Sequence, residues 1–220
     1  MSKLDKEEVL KSIDELLAFS KDKRVRNFTE TIEMQVTLKN YDPNKDKRFS
    51  ESVRLPFPIR PKVRVCVIGD VETVEQVKAA NIEGVDVINM DNLKFFNKDQ
   101  KKIKKWANKF HGFLSNAKHL RNIPRVLGPT LHKVDKAPIA IKPGEDPVEK
   151  VKEFGALCSF KLKKTVNLNL PFAYVGLDKE EVFENLSVSL NFLATLLKKN
   201  WQNIKTVYIK STMGPSFRIY

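Results

Sequence analysis

The residues best suited to contact a ligand lie close to the end of the chain, in the string Lys210-Ser211-Thr212-Met213-Gly214-Pro215. They follow residues 206–209, which are β-branched and aromatic and are predicted to form a strand. Glycine permits close approach of the backbone, and methionine adapts to an irregular surface. None of these side chains titrates near neutrality, so the string is unsuited to acid–base or nucleophilic chemistry. It fits contact with a large polar partner, or a tight turn between two strands.

Two further groups of residues could contact a polyanion. Phe28 lies just before an alternating run and could stack on a base or a ribose, which contributes about 1–3 kcal/mol, or it could belong to the core at the start of a strand. Lys161 and Lys163 are two residues apart, hence on one face of a predicted strand. Together with Lys164 and Thr165 they could grip phosphates, or form a solvated face.

The patterns that enzymes and metal sites require are not found in the sequence. The three histidines are scattered, without cysteine or carboxylate at the spacing of metal ligands. The turn after the predicted strand 63–68 lacks the glycines that cradle a pyrophosphate. Cys66 and Cys158 lie in apolar runs and are predicted to be buried, unreactive thiols. We therefore expect a protein that is not an enzyme and needs neither cofactor nor metal.

The charge of the chain favours a polyanionic partner. Its 220 residues contain 40 Lys and Arg against 27 Asp and Glu, a formal net charge of +13. Residues 1–58 are nearly balanced at +1, whereas residues 59–147 carry +7 and residues 148–220 carry +5. Solubility alone is the other explanation of such a balance. No secretory signal or membrane-spanning run is apparent, so a soluble protein of a reducing compartment, without a membrane partner, is expected.

The hydrophobic pattern divides the chain into an outer part and an inserted part. In the outer part, residues 31–38 alternate as in a sheet with one buried face, and amphipathic helices are predicted after Asp5 and after Asp178. Between residues 59 and 147, short apolar strands alternate with helices, which indicates a parallel sheet. The predicted helices there include a lysine-rich helix over residues 98–110, opened by Asn97, and a short helix over residues 117–120.

Proline-rich crossings separate the two parts. They lie at residues 55–61 and 141–147. We predict a split α+β domain, with an antiparallel sheet and helices, formed by residues 1–58 and 148–220. A Rossmann-like, three-layer α/β domain formed by residues 59–147 interrupts it, and the two adjacent crossings provide a natural hinge.

Several strings in the sequence resemble one family. They are Phe28-Thr29-Glu30-Thr31-Ile32-Glu33-Met34, Arg125-Val126-Leu127-Gly128-Pro129, Asn200-Trp201-Gln202-Asn203 and Tyr208-Ile209-Lys210-Ser211-Thr212-Met213-Gly214. The first resembles the N-terminal strand motif of the universal large-subunit ribosomal protein L-one family, called L-ten-a in eukaryotes. The second resembles the signature of its insert, and the last two resemble its C-terminal end. The resemblance covers nearly the whole chain and implies the same split fold.

The resemblance also implies a function and a set of contact residues. A member would be a structural constituent of the large ribosomal subunit, with its split domain bound to a stalk junction in ribosomal RNA. Its insert would help deacylated tRNA to leave the exit site. RNA contacts would fall on Phe28, Thr31, Ser211, Thr212, Met213 and Gly214, with supporting contacts from Lys161, Lys163, Lys164 and Thr165.

The remaining expectations concern partners and alternatives. Other ribosomal proteins are expected as neighbours, and the free protein is expected to be a monomer. The location would be the cytoplasm, with nuclear or nucleolar assembly. One alternative is a regulator that binds its own messenger RNA through the same surface. Another is a nucleotide-using α/β enzyme built on the insert, which the missing glycine loop disfavours.

Overall fold

The chain folds into two compact units, each described here by itself. A computed structural model describes residues 5–23, 25–43, 45–46 and 48–220. The split unit comprises the residues up to Pro61 together with Ala156–Tyr220, and the inserted unit comprises Lys62–Gly155.

The described residues form helices and strands in the following order. The helices are α1 (Lys6–Ala18), α2 (Val71–Ala79), α3 (Met90–Leu93), α4 (Gln100–Ala107), α5 (Ile123–Leu127), α6 (Thr130–Lys133), α7 (Pro147–Phe154) and α8 (Lys179–Leu196). The strands are β1 (Thr31–Leu38), β2 (Ser50–Arg54), β3 (Val65–Gly69), β4 (Val85–Asn89), β5 (Gly112–Asn116), β6 (Ile139–Ile141), β7 (Leu157–Lys161), β8 (Asn167–Tyr174), β9 (Ile204–Ser211) and β10 (Ser216–Arg218). A π-turn (Phe19–Lys23) continues α1, and short 3₁₀ helices cover Lys94–Phe96 and Asn200–Asn203.

The main sheet of the split unit is antiparallel and has β1 at its centre. Its strand order is β10-β9-β1-β8. Along β1, buried and half-buried residues alternate without a break, as the sequence pattern predicts. The inward side chains of the sheet pack with those of α1 and α8 in one core, whose members include Ile13, Met34 and Leu186. The outward side chains of β1 are polar, so this face stays open to a polar partner.

Each long helix of the split unit begins at a residue that accepts backbone hydrogen bonds. Asp5 accepts from the backbone N–H of Glu7 at the start of α1. Asp178 and Glu181 form a complete capping box at the start of α8. The two sequence signals for helix starts are therefore confirmed.

A small second sheet joins the two segments of the split unit. Strand β2 precedes the insert and β7 follows it, and the two pair antiparallel from Ser50 opposite Lys161 to Arg54 opposite Leu157. The backbone N–H of Leu55 then donates to the carbonyl of Ala156 at 2.9 Å. The chain therefore leaves and re-enters the split unit at neighbouring positions.

The inserted unit is a three-layer α/β structure. Its parallel sheet has the order β4-β3-β5-β6. Side chains of β3 alternate between two cores: Cys66 and Ile68 pack with α4 and α5, whereas Val65 and Val67 pack with α2 and α7. Helices therefore cover both faces of the sheet, and the predicted fold class of an α+β unit interrupted by an α/β unit is confirmed.

The inserted unit differs from the sequence prediction at three points. The lysine-rich helix begins at Gln100, because Asn97 and Lys98 have positive φ angles of 43° and 58° and Asp99 is the N-cap. The short helix predicted at residues 117–120 is a turn, and a helix forms at Ile123–Leu127, with Pro124 in the first turn, where a missing N–H costs nothing. The second crossing lies at Gly155, beyond the predicted residue 147, because Val151 of α7 belongs to the core of the inserted unit.

Candidate nucleic-acid interface

The string singled out in the sequence forms a loop between β9 and β10. Ser211 ends β9 opposite Ile32 of β1, and residues 212–215 make the turn into β10. The backbone N–H of Thr31 donates to the Thr212 hydroxyl, with 3.2 Å between nitrogen and oxygen. The same hydroxyl donates to the carbonyl oxygen of Thr31, also at 3.2 Å. Two of the predicted contact residues, 181 positions apart in the chain, are thereby joined.

Two apolar side chains close in sequence to this contact are exposed. Phe28, three residues before Thr31, is 53% exposed, and Met213, directly after Thr212, is 54% exposed. The possibility that Phe28 is a core residue is thereby excluded. An exposed aromatic ring offers a flat face for stacking, and an exposed thioether side chain can adapt to an irregular partner.

The structure assigns different roles to Ser211 and Gly214. Ser211 is fully buried, and its Oγ lies 3.0 Å from the Oγ of Ser20, so its hydroxyl cannot reach a ligand. Gly214 donates its N–H to the carbonyl of Ser211 at 3.3 Å. A Cβ at Gly214 would collide with the Ser211 hydroxyl, so a glycine is required here by close packing.

The basic residues 161–165 lie at the opposite end of the main sheet. Lys161 is the last residue of β7, and Lys163, Lys164 and Thr165 follow the end of that strand. The carbonyl of Val166 accepts from the N–H of Leu38, at the far end of β1 from Thr31. At 3.3 Å per residue this separates the two groups by about 20 Å.

The sequence analysis missed a buried polar cluster beneath the loop. Glu30 is only 5% exposed, and Ser20 of the π-turn is also buried. Extending the alternation of β1 by one step backwards places residue 30 on the same face as Ile32 and Met34, so the pattern did contain the signal. No pattern in the sequence predicts the π-turn. Within it, Lys21 and Lys23 are exposed, whereas Ser20 is buried.

The inserted unit has its own polar cluster, at the carboxyl ends of β3 and β5. This is the position at which open α/β sheets bind ligands. The His119 ring and the Asp70 carboxyl are in hydrogen-bonding contact, and Asn116 donates to the hydroxyl of Thr73 at 2.9 Å. The hydrogen bond from His119 lowers the pKa of the Asp70 carboxyl, which stays ionised at the N-cap of α2. A negative charge at this helix start disfavours a phosphate, and therefore disfavours the nucleotide-using enzyme.

Positive charge is concentrated in one stretch of the inserted unit. Residues 94–133 contain 11 Lys and Arg and a single acidic residue, Asp99. They include α4, α5 and α6, which lie on one side of the sheet, as well as β5, which belongs to the sheet itself. Phe95 is 85% exposed in this stretch, next to a depression of about 330 Å³ lined by Lys94, Asn97, Lys98 and Val126. This basic stretch combines charge with an exposed aromatic ring.

Three further features of the described residues bear on chemistry. Burial raises the pKa of the Cys158 thiol to about 12 and raises that of Cys66 as well, so the prediction of buried thiols is confirmed. In the parts of the chain that the structure describes, no group of three or more His, Cys, Asp or Glu side chains could hold a metal ion. The same parts contain no helix with the length and apolar character that crossing a membrane requires.

The fold and these surfaces define a class: a basic two-unit protein in which a split α+β unit is interrupted by a parallel α/β unit. Residues 16–215 match the model of the Ribosomal protein L1p/L10e family. The chain belongs to this family and is a ribosomal protein, so the resemblance seen in the sequence is confirmed.

The chain is similar in sequence to relatives from several eukaryotes over their whole length. The chain is 44% identical to the large ribosomal subunit protein uL1z of Arabidopsis thaliana and 44% identical to uL1 of Caenorhabditis elegans. It is 42% identical to uL1 of Eremothecium gossypii. Each comparison spans 220 residues and covers 100% of both chains.

Proposed function

We propose that this protein is a structural, non-enzymatic constituent of the large ribosomal subunit, and that its split unit binds ribosomal RNA at the stalk junction. The observation that carries the proposal is that the Thr31–Thr212 contact joins two segments, each of which exposes an apolar side chain, Phe28 in one and Met213 in the other. The names of the full-length relatives support the assignment to the large subunit.

The chemistry of this surface suits an irregular RNA. RNA is recognised through its shape, its phosphates, its 2′-hydroxyls and its unstacked bases. Phe28 offers a stacking face, and the one lone pair of the Thr212 hydroxyl that Thr31 leaves unused can accept from a 2′-hydroxyl. The open polar face of β1 continues the surface towards Lys163, Lys164 and Thr165, which would contact phosphates some 20 Å away along the strand. Ser211 and Gly214 support the loop from below.

The inserted unit would serve a second RNA. Its basic stretch, with 11 cationic residues against one acidic residue between positions 94 and 133, favours transient electrostatic contact with deacylated tRNA at the exit site. Such a contact would assist the release of the tRNA. The remaining partners would be neighbouring ribosomal proteins, and the free protein would be a monomer. The protein would act in the cytoplasm after nuclear or nucleolar assembly.

Salt-dependent binding tests the anchoring role. The full chain is titrated with a large-subunit stalk-junction RNA and with an unrelated RNA duplex of equal length, across a range of salt concentrations. Tight binding that persists at raised salt only for the junction RNA is expected, because shape and stacking contribute beyond the phosphates. Equal binding to both RNAs, lost steeply with salt, would mean that charge alone acts and would overturn the proposal.

A further inference from the structure

The buried cluster beneath the loop joins three separate segments of the split unit. Ser20 comes from the π-turn, Glu30 from the residue before β1, and Ser211 from the end of β9. The Ser20 Oγ lies 3.0 Å from the Ser211 Oγ and 3.4 Å from Glu30 Oε2. Arg26 Nε lies 3.7 Å from the other carboxylate oxygen. All three cluster members are buried, so these contacts are shielded from water.

The directions of the hydrogen bonds in this cluster follow from the groups that form it. A hydroxyl has one proton to donate and can accept from two sides. Ser20 therefore cannot donate both to Ser211 and to Glu30. A carboxylate is the stronger acceptor, so when Ser20 donates to Glu30, the Ser211 hydroxyl is left to donate to Ser20. The carboxylate thus fixes the direction of the chain and the position of the Ser211 hydroxyl.

The Ser211 hydroxyl in turn touches the loop that carries Met213. Gly214 lies so close that a Cβ there would collide with Ser211 Oγ, and the same Cβ would lie 3.5 Å from Cδ1 of Phe19 in the π-turn. The loop is therefore held between Ser211 and Phe19 on its buried side and by Thr212 on Thr31 at its exposed side. A π-turn is a rare element that often occurs at functional sites.

We propose that Glu30, Ser20 and Ser211 are positioning residues that hold the loop 212–214 in the conformation in which Met213 and Thr212 meet RNA. The inference rests on the proposed function for the identity of the ligand, but it does not depend on that function for the geometry of the loop. It reassigns Ser211 from a contact residue to a support, and it adds two residues that touch no ligand.

The first test measures RNA affinity for Ser20→Ala, Ser211→Ala and Glu30→Ala, with Ser189→Ala as the matched control. Ser189 is a fully buried serine of α8 whose hydroxyl has no hydrogen-bond partner among the described residues. The three cluster variants are expected to lose about tenfold in affinity for the junction RNA, and the control is expected to bind as the unmodified chain does. Glu30→Gln retains an acceptor for Ser20 and is expected to restore most of the affinity.

A double substitution separates positioning from general damage. If Ser20 acts through Met213, then Ser20→Ala costs little further affinity in a Met213→Ala background. Purely additive losses would contradict the proposal, as would normal binding by the folded Ser20→Ala variant. Folding of each variant is checked by urea unfolding followed through Trp201, which lies in the split unit.

A second measurement needs no RNA. The methyl resonance of Met213, assigned by its disappearance in Met213→Ala, is expected to shift in Ser20→Ala and to stay unchanged in Ser189→Ala. An unchanged resonance in both variants would overturn the inference whatever the RNA result. If the unmodified chain fails to distinguish the junction RNA from the control duplex but the resonance shifts, the proposed function fails and the positioning role stands.

Discussion

The two units of this protein solve the problem of building a binding surface in different ways. The split unit assembles its surface from distant segments, because β1 is flanked by β8 and β9 and the loop contact joins residues 181 positions apart. The inserted unit concentrates its charge in one continuous stretch, residues 94–133. The first arrangement fixes individual side chains in place. The second presents a general positive field, which attracts a polyanion without selecting its shape.

The same contrast extends to the polar clusters of the two units. The cluster of Glu30, Ser20 and Ser211 is buried, whereas Met213 in the adjoining loop is exposed. The cluster of Asp70 and His119 lies at the edge of the inserted sheet and is partly open to solvent. Buried polar groups fix geometry strongly, whereas exposed pairs contribute little to stability. We therefore expect the split unit to be sensitive to single substitutions near its site, and the inserted unit to tolerate them.

The largest expected effect is the loss of unfolding free energy when a buried side chain is truncated, and it should fall on one unit at a time. Met34→Ala removes a fully buried side chain from the central strand of the split unit, and Ile103→Ala does the same in the inserted unit. Each should cost about 2–5 kcal/mol of unfolding free energy in its own unit. The chain contains two tryptophans, Trp106 in the inserted unit and Trp201 in the split unit. Urea unfolding in a Trp106→Phe or a Trp201→Phe background therefore reports one unit at a time. Equal shifts of both signals by both substitutions would show that the units unfold together.

The next effect compares the exposed apolar side chains. Phe28→Ala and Met213→Ala should each weaken binding to the stalk-junction RNA by about 1–3 kcal/mol, because a stacking or packing surface is lost while the fold survives. Phe95→Ala, in the inserted unit, is the matched control and should leave this affinity unchanged. A loss from Phe95→Ala equal to that from Phe28→Ala would abolish the distinction between the two surfaces.

A smaller effect concerns charge. Lys163→Ala should reduce the slope of log affinity against log salt by about 1, since one phosphate contact is lost, and should weaken binding to many RNAs alike. Lys11→Ala, an exposed lysine of α1, serves as the control and should leave the slope unchanged. An unaltered slope for Lys163→Ala would remove that residue from the phosphate contacts.

The smallest effect is the response of the inserted unit to acid. The pKa of Asp70 is lowered from its ordinary value of 3.8, chiefly by the hydrogen bond from His119. A lowered pKa in the folded state stabilises the fold above pH 3.8, and this stabilisation is lost as the pH falls through the lowered value. His119→Ala should therefore make the unfolding free energy of the inserted unit depend less on pH in this acid range. His132→Ala is the exposed control. Identical pH profiles for the two variants, measured through Trp106, would contradict this role.

Local patterns in the sequence were sufficient to predict many of the helices and strands of this protein. The alternation of residues 31–38, the caps at Asp5 and Asp178 and the strand–helix alternation of the insert each depend on neighbours within a few positions, and the structure agrees with them. The string from Lys210 to Pro215 also contains a loop, residues 212–215, where its glycine and proline act locally on the backbone.

Tertiary structure alone decided what the side chains of that string meet. Ser211 and Thr212 carry the same hydroxyl chemistry, yet one is buried on Ser20, 191 positions away, and the other lies on Thr31. The separation of residues 161–165 from the loop likewise follows from the antiparallel register of β1 and β8, where Thr37 lies opposite Asn167 and Thr31 opposite Tyr174. Local pattern sets whether a residue faces inward or outward. The pairing of distant strands sets what it meets there, and that pairing is a property of the folded chain as a whole.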